Sequence, residues 1–159
     1  MKIKKLLLDT TYLLPLFKIE ISGFSSEDLE ALLNSGIDLY YNPVSLIEVK
    51  WVILRLTKRK GSKLKELRSI YSETIEYLLT SDEIKRTIMI NGEISRLEDE
   101  LYDMGLRDFF DRIIVATAKV FTGNLLTEDK EIIEALKNIE KFKDLRIITW
   151  KQLSKEVIK

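Results

Sequence analysis

Four short apolar runs set the strongest limit on what this chain can fold into. KLLLD (5–9), IDLYYN (37–42), NLLT (124–127) and RIIT (146–149) are each rich in leucine, branched or aromatic residues and bounded by turn formers, as buried strands are. Helical patterns lie between them. SSEDLEALLNSG has a Ser25 or Ser26 N-cap and Gly36 just past its end. Asn42-Pro43 opens a helix of about 15 residues, with asparagine as cap and proline at the first helical position. Residues 62–80 and 90–104 form two charged amphipathic helices. RDFFDRIIVATAKVF is a helix capped by Asp108, EDKEIIEALKN is another, and KQLSKEVIK is a short terminal one. IKRTIMI (84–90) fits strand or helix. Strands alternating with helices imply a parallel sheet covered on both faces, since parallel neighbours need crossover connections of this length. The expected class is α/β. At 159 residues and 45% apolar content, one domain spanning 1–159 is expected.

Composition narrows the chemistry. Histidine and cysteine are both absent, which removes histidine-dependent triads, thiolate nucleophiles, disulfides and the usual zinc ligands. What remains is carboxylate, lysine, tyrosine or hydroxyl chemistry, or a hard metal ion held by oxygen. No stretch approaches the roughly 20 apolar residues of a membrane span, and the N-terminus lacks a signal-peptide pattern, so a cytoplasmic protein is expected. Basic and acidic residues balance at 26 each, so attraction to nucleic acid must come from local charge.

The acids are placed oddly. Asp9 ends the first apolar run, at the carboxyl end of a strand where open parallel sheets bind ligands; alternatively it caps the next turn. On the helix opened by Pro43, Val44, Ile47, Trp51 and Val52 follow helical spacing and mark a core-facing stripe. Glu48 falls inside that stripe, either paired with Arg55 or facing a cation. Asp111 shares a helix face with Val115 and Ala118, which turns it towards the protein; Asp108, three positions earlier, reads as a cap. In NLLTEDKEI a second apolar run ends in acids, with Asp129 at a strand-to-helix turn and Thr127 a possible cap. Four carboxylates at two strand ends and two inward helix faces would repel one another if they met, and a divalent cation makes such a cluster sensible.

LLLDTTYLL, NPVSLIEVKW, DFFDRIIVATAK and LLTEDKEI resemble, in order, the four acidic motifs of PIN-domain nucleases, and are most similar to small proteins of the VapC toxin type. The resemblance implies a PIN-like fold with helices on both faces of the sheet. It implies an endoribonuclease using Mg²⁺ or Mn²⁺, with Asp9, Glu48, Asp111 and Asp129 as metal-binding and catalytic residues. Thr10 and Thr127 would be supporting hydroxyls, and either Asp108 or Asp111 the closer ligand. It also implies an RNA substrate, an antitoxin partner and a homodimer. Glu128 stands where relatives often carry a basic residue.

The segment RLTKRKGSKLKELR (55–68) holds seven basic residues against one acid, net +6, and Arg55, Lys58, Arg59, Lys60 and Lys63 are its phosphate-binding candidates. A solvated corner between helices accounts for it equally. Leu64, Leu67, Ile70, Tyr71, Ile75, Leu78 and Leu79 form more apolar surface than one helix face needs, for core packing or for a partner. A receiver domain or a haloacid-dehalogenase-like phosphatase would need a second acid beside Asp9 or at position 11, where the sequence has Thr10 and Thr11. A catalytically silent binding module and an RNA-processing nuclease without an antitoxin remain as alternatives.

Overall fold

The computed structural model describes residues 3–59, 64–137 and 139–157. The four apolar runs form strands and a fifth joins them: β1 Lys5–Leu8, β2 Asp38–Tyr41, β3 Ile84–Arg86, β4 Asn124–Leu126 and β5 Arg146–Ile148. They make one sheet in the order β3-β2-β1-β4-β5, every neighbouring pair parallel. IKRTIMI therefore starts as a strand, with Ile84 buried opposite Leu39. The described helices are α1 Thr10–Leu13, α2 Ser26–Leu33, α3 Val44–Arg59, α4 Leu64–Thr80, α5 Gly92–Asp103, α6 Phe109–Phe121, α7 Lys130–Leu136 and α8 Trp150–Val157. Two 3₁₀ turns, Leu14–Phe17 and Glu140–Phe142, complete the set. The short α1 and the turn after it were not foreseen; four residues are too few to show a helical period. No helix among the described residues is long and apolar enough to cross a membrane.

Alternation along β1 builds two cores. Leu6 and Leu8 join Tyr12, Leu32, Val49, Ile53, Leu78 and Leu153 on one side, while Leu7 joins Ile94, Ile114, Val115, Leu125 and Ile132 on the other. All three leucines are fully buried, each stabilising by about 1.5–3 kcal/mol. That local surplus lets β1 tolerate a carboxylate at its end.

The stripe on α3 differs from expectation. The buried residues described on α3 are Val44, Ser45, Leu46, Val49, Ile53 and Thr57, whereas Ile47 is 47% and Trp51 59% exposed and Val52 is half-buried. Of the expected set, Val44 alone is buried. The apolar side chains of Ile47 and Trp51 gave the wrong phase, because an exposed apolar residue carries the same letter as a buried one. Glu48 is nevertheless half-buried, at the border between the two faces. On α4, Leu78 is buried and Leu67, Tyr71 and Ile75 pack partly on the core, while Leu79 and neighbouring Tyr77 are exposed. Core packing thus accounts for most of that helix's apolar residues. Lys60 and Lys63 lie outside the described residues, as do the side chains of Arg59 and Leu64.

From β1 the chain adds β2 and β3 to one side, then crosses to place β4 and β5 on the other. The strand order reverses between β1 and β4, and the crevice outside their carboxyl ends is where such sheets bind ligands. Asp9 and Asp129 follow those two strands.

Candidate functional site

Asp9 is held where β1 stops. Its backbone N–H donates to the Leu126 carbonyl (3.1 Å), continuing the β1–β4 ladder by one bond, and the buried side chain becomes the cap of α1. Oδ1 accepts from the Thr10 N–H (2.7 Å) and Oδ2 from the Thr127 hydroxyl (2.6 Å). Thr127, fully buried, also accepts from the Asp129 N–H (3.0 Å), so one hydroxyl ties both strand ends together. Asp129, rather than Thr127, caps α7: its Oδ1 accepts from Glu131 N–H (2.7 Å) and Ile132 N–H (3.0 Å). Capping and site placement coexist at Asp9 and Asp129.

Glu48 and Asp111 arrive on helices. Asn42, fully buried, accepts from the Val44 N–H (2.8 Å) and donates to the Met89 carbonyl (2.9 Å) and the Thr117 hydroxyl (2.7 Å). It therefore pins the start of α3, which carries Glu48, to α6, which carries Asp111. The sequence showed Asn42 only as a cap. Asp108 is exposed and committed to capping α6, its Oδ1 accepting from Phe110 and Asp111 N–H groups. Asp111, one turn on, is half-buried and lies on the helix face of buried Val115 and Ala118. Between the two, Asp111 is the deeper acid.

The carboxylates feel one another. Burial pushes the Asp111 carboxyl up to about 8, and the negative charges of Asp9, Asp108, Asp129 and Glu48 add to it. Asp9 is pushed up to about 6, chiefly by burial and also by Glu48 and Asp129, against the opposing hydrogen bonds of Thr127 and Thr10. Glu48 is raised by burial and by Asp108 and Asp129. The Thr10 hydroxyl and Arg55 favour its ionised form, yet neither Thr10 Oγ1 nor Glu48 Oε2 has a partner in hydrogen-bond geometry, though both are buried. No salt bridge among the described residues involves Asp9, Glu48, Asp111 or Asp129, so the Glu48–Arg55 pair does not form.

Among the described residues no three acids are drawn together as a ready-made cation cage; they stand within electrostatic reach of each other and apart. Their chemistry nonetheless fits a hard divalent ion. The donors are all oxygens, no salt bridge among the described residues pairs them with a protein cation, and Glu48 offers a buried oxygen with no donor.

The PIN domain model matches residues 6–138. The chain belongs to the PIN-domain family. PIN domains are in general nucleases, and they usually use divalent metal ions. Among solved structures, the crystal structure of PAE2754 from Pyrobaculum aerophilum superposes with a TM-score of 0.64, covering 98% of this chain and 90% of that one. At 13% identity the likeness is one of fold. The curated proteins gave no match.

Two further contacts brace this PIN domain. Glu128 Oε1 accepts from the Tyr12 hydroxyl (2.8 Å) and the Trp150 N–H (2.7 Å), linking α1, the turn after β4 and the start of α8. Glu128, though exposed, is thus committed to two hydrogen bonds within the protein. Arg112, beside Asp111, is buried; its Nε donates to Glu98, and Nη1 donates to the carbonyls of Leu106 (3.2 Å) and Arg107 (2.5 Å). That clasp fixes the loop leading into Asp108 and α6. Glu98 lies 14 residues away across a loop, so sequence spacing carried no signal for the pair.

Proposed function

We propose that this chain is a divalent-metal-dependent endoribonuclease built as one PIN domain over residues 1–159. The observation that carries the reading is a set of four carboxylates around the β1–β4 crevice, three of them, Asp9, Glu48 and Asp111, with pKa values raised by burial and mutual repulsion, and none paired with a cation among the described residues. Asp9, Asp111 and Asp129 are assigned to hold Mg²⁺ or Mn²⁺, and Glu48 to a second ion or to the attacking water. Such an ion, when bound, lowers the pKa of water and offsets charge on the departing oxygen.

The protein's own groups do the rest. Thr127 fixes the Asp9 carboxylate, leaving a defined edge towards the crevice. Glu48 Oε2, buried and without a donor, is poised to accept a hydrogen bond from the water that adds to phosphorus as the P–O bond breaks, yielding a phosphomonoester and a free hydroxyl. Arg55 and Lys58, both exposed on α3, supply attraction for phosphates.

The finer proposals are that the protein is cytoplasmic, for which the lack of a membrane-spanning helix among the described residues speaks, and serves as the VapC-like toxin of a toxin-antitoxin pair, acting as a homodimer that a small antitoxin restrains, for which the likeness of its motifs to small VapC-type proteins speaks. The test is cleavage of an end-labelled RNA. Mg²⁺ or Mn²⁺ should be required, chelator should stop cleavage, and Asp9→Asn should abolish it. Intact RNA with every divalent ion tried would instead favour a binding module. A small protein that co-purifies from the native host supports the toxin role, and its absence there supports an RNA-processing enzyme.

A further inference from the structure

The geometry points to the outward face of α3, running from Glu48 through Trp51 and Arg55 to Lys58, as a track for single-stranded nucleic acid with Trp51 as its base-stacking platform. This rests on the nuclease reading of the adjoining acids and adds to it a binding surface and the residue that anchors a base there.

The four residues are spaced at three, four and three positions, so they line one side of the helix over about 15 Å, enough for a few nucleotides. That side is opposite the buried stripe of Val49, Ile53 and Thr57. Trp51 is 59% exposed, the most exposed large apolar side chain among the described residues. It lines a recess of about 350 Å³ together with Leu54, Arg55, Lys58 and, from α4, Arg68. All three basic residues are exposed, and none is paired with a carboxylate among the described residues. The track joins the acidic crevice, since Glu48, one of the crevice acids, lies on this same side of α3 one turn before Trp51 and two turns before Arg55.

Charge complementarity selects the occupant. An aromatic ring flanked by three cations that form no ion pair among the described residues matches alternating bases and phosphates, and stacking on one ring needs a base that is not already stacked in a duplex. A second copy of this chain would bring three more cations against these three.

The full chain in an Asp9→Asn background, where RNA stays intact, is titrated with a 12-nucleotide single-stranded RNA while tryptophan fluorescence is followed. The chain has two tryptophans, and Trp150 is buried, so quenching reports Trp51. We expect quenching that Trp51→Phe removes, affinity about tenfold weaker in Trp51→Ala and less affected in Trp51→Phe. Arg55→Gln with Lys58→Gln should lower the salt slope by roughly 1.4. Affinity and slope unchanged in these variants, or no RNA binding at all, overturns the track. So does loss of a dimer in Trp51→Ala, by sedimentation, with affinity unaltered, which would make the face a contact between copies. Cleavage by the wild-type chain is measured in parallel: binding with this pattern but no cleavage leaves the track standing and removes the nuclease reading, while cleavage with unaltered binding does the reverse.

Discussion

Asp111 and Arg112 are adjacent on α6 and meet opposite surroundings. Arg112 is fully provided for: an ion pair to Glu98, two carbonyl acceptors, and the rings of Tyr102 (4.9 Å) and Phe109 (5.6 Å) around its guanidinium. Asp111 has no salt bridge among the described residues and faces the charges of four other acids. A fold that required only neutrality at the carboxyl ends of β1 and β4 had a guanidinium one residue away. It directs that cation into the α5–α6 layer, where it neutralises Glu98, and leaves the crevice negative. Repulsion tolerated beside an available cation is what a site reserved for an external ion looks like.

Breaking each side of this contrast should give opposite results. Asp111→Asn should reduce RNA cleavage by about three orders of magnitude, roughly 4 kcal/mol of transition-state stabilisation, while the metal-free protein becomes more stable at pH 8 because a disfavoured charge has gone. Single-turnover cleavage and urea unfolding of the same preparation check both halves. Arg112→Met should do the reverse to stability: Glu98 would be left buried and unpaired, at a cost of about 3–5 kcal/mol in urea unfolding. Adding Glu98→Gln to Arg112→Met should recover much of that loss.

Acidity sharpens the contrast further. A carboxyl raised from 3.8 to about 8 keeps its proton in the folded chain at pH values where the unfolded chain has released it. The folded state then binds more protons, so stability falls as pH rises from about 4 to about 8, with Asp9 contributing over the lower part, up to about 6. The metal-free melting temperature should drop by on the order of 5 °C between pH 5 and pH 8.5, and Asp111→Asn should flatten the upper half of that fall. A melting temperature that rises across this interval would contradict the assignment. The smallest effect is expected at Tyr12→Phe, where Glu128 loses one hydrogen bond and keeps the Trp150 N–H: about 1 kcal/mol of stability, with cleavage nearly unchanged.

The parts of the molecule visible in the sequence are those where a residue conflicts with its neighbours. Asp9 stands at the end of a run buried on both faces, and Asp129 just after another, so each marks a strand end whether or not the fold is known. Asp111 shares a short period with small apolar residues. The phase of α3 is not legible in its sequence, because Trp51 and Ile47 are apolar and exposed, which periodicity cannot distinguish from core. β3, three residues long, is too short to display a period. The Glu98–Arg112 clasp and the Glu128 brace depend on partners brought together by the fold, the latter across 116 and 22 positions, and no local pattern announces them.

The central claim is that the acids at the carboxyl ends of the sheet are completed by a divalent cation. Its most direct test is calorimetric titration of the metal-free protein with Mn²⁺ at pH 7 in buffers of different ionisation enthalpy. Binding should displace close to one proton per ion, because Asp111 is largely protonated at that pH, and both binding and proton release should be lost in Asp9→Asn and Asp111→Asn. Mn²⁺ binding that is absent, or that survives unchanged in both variants, would contradict it.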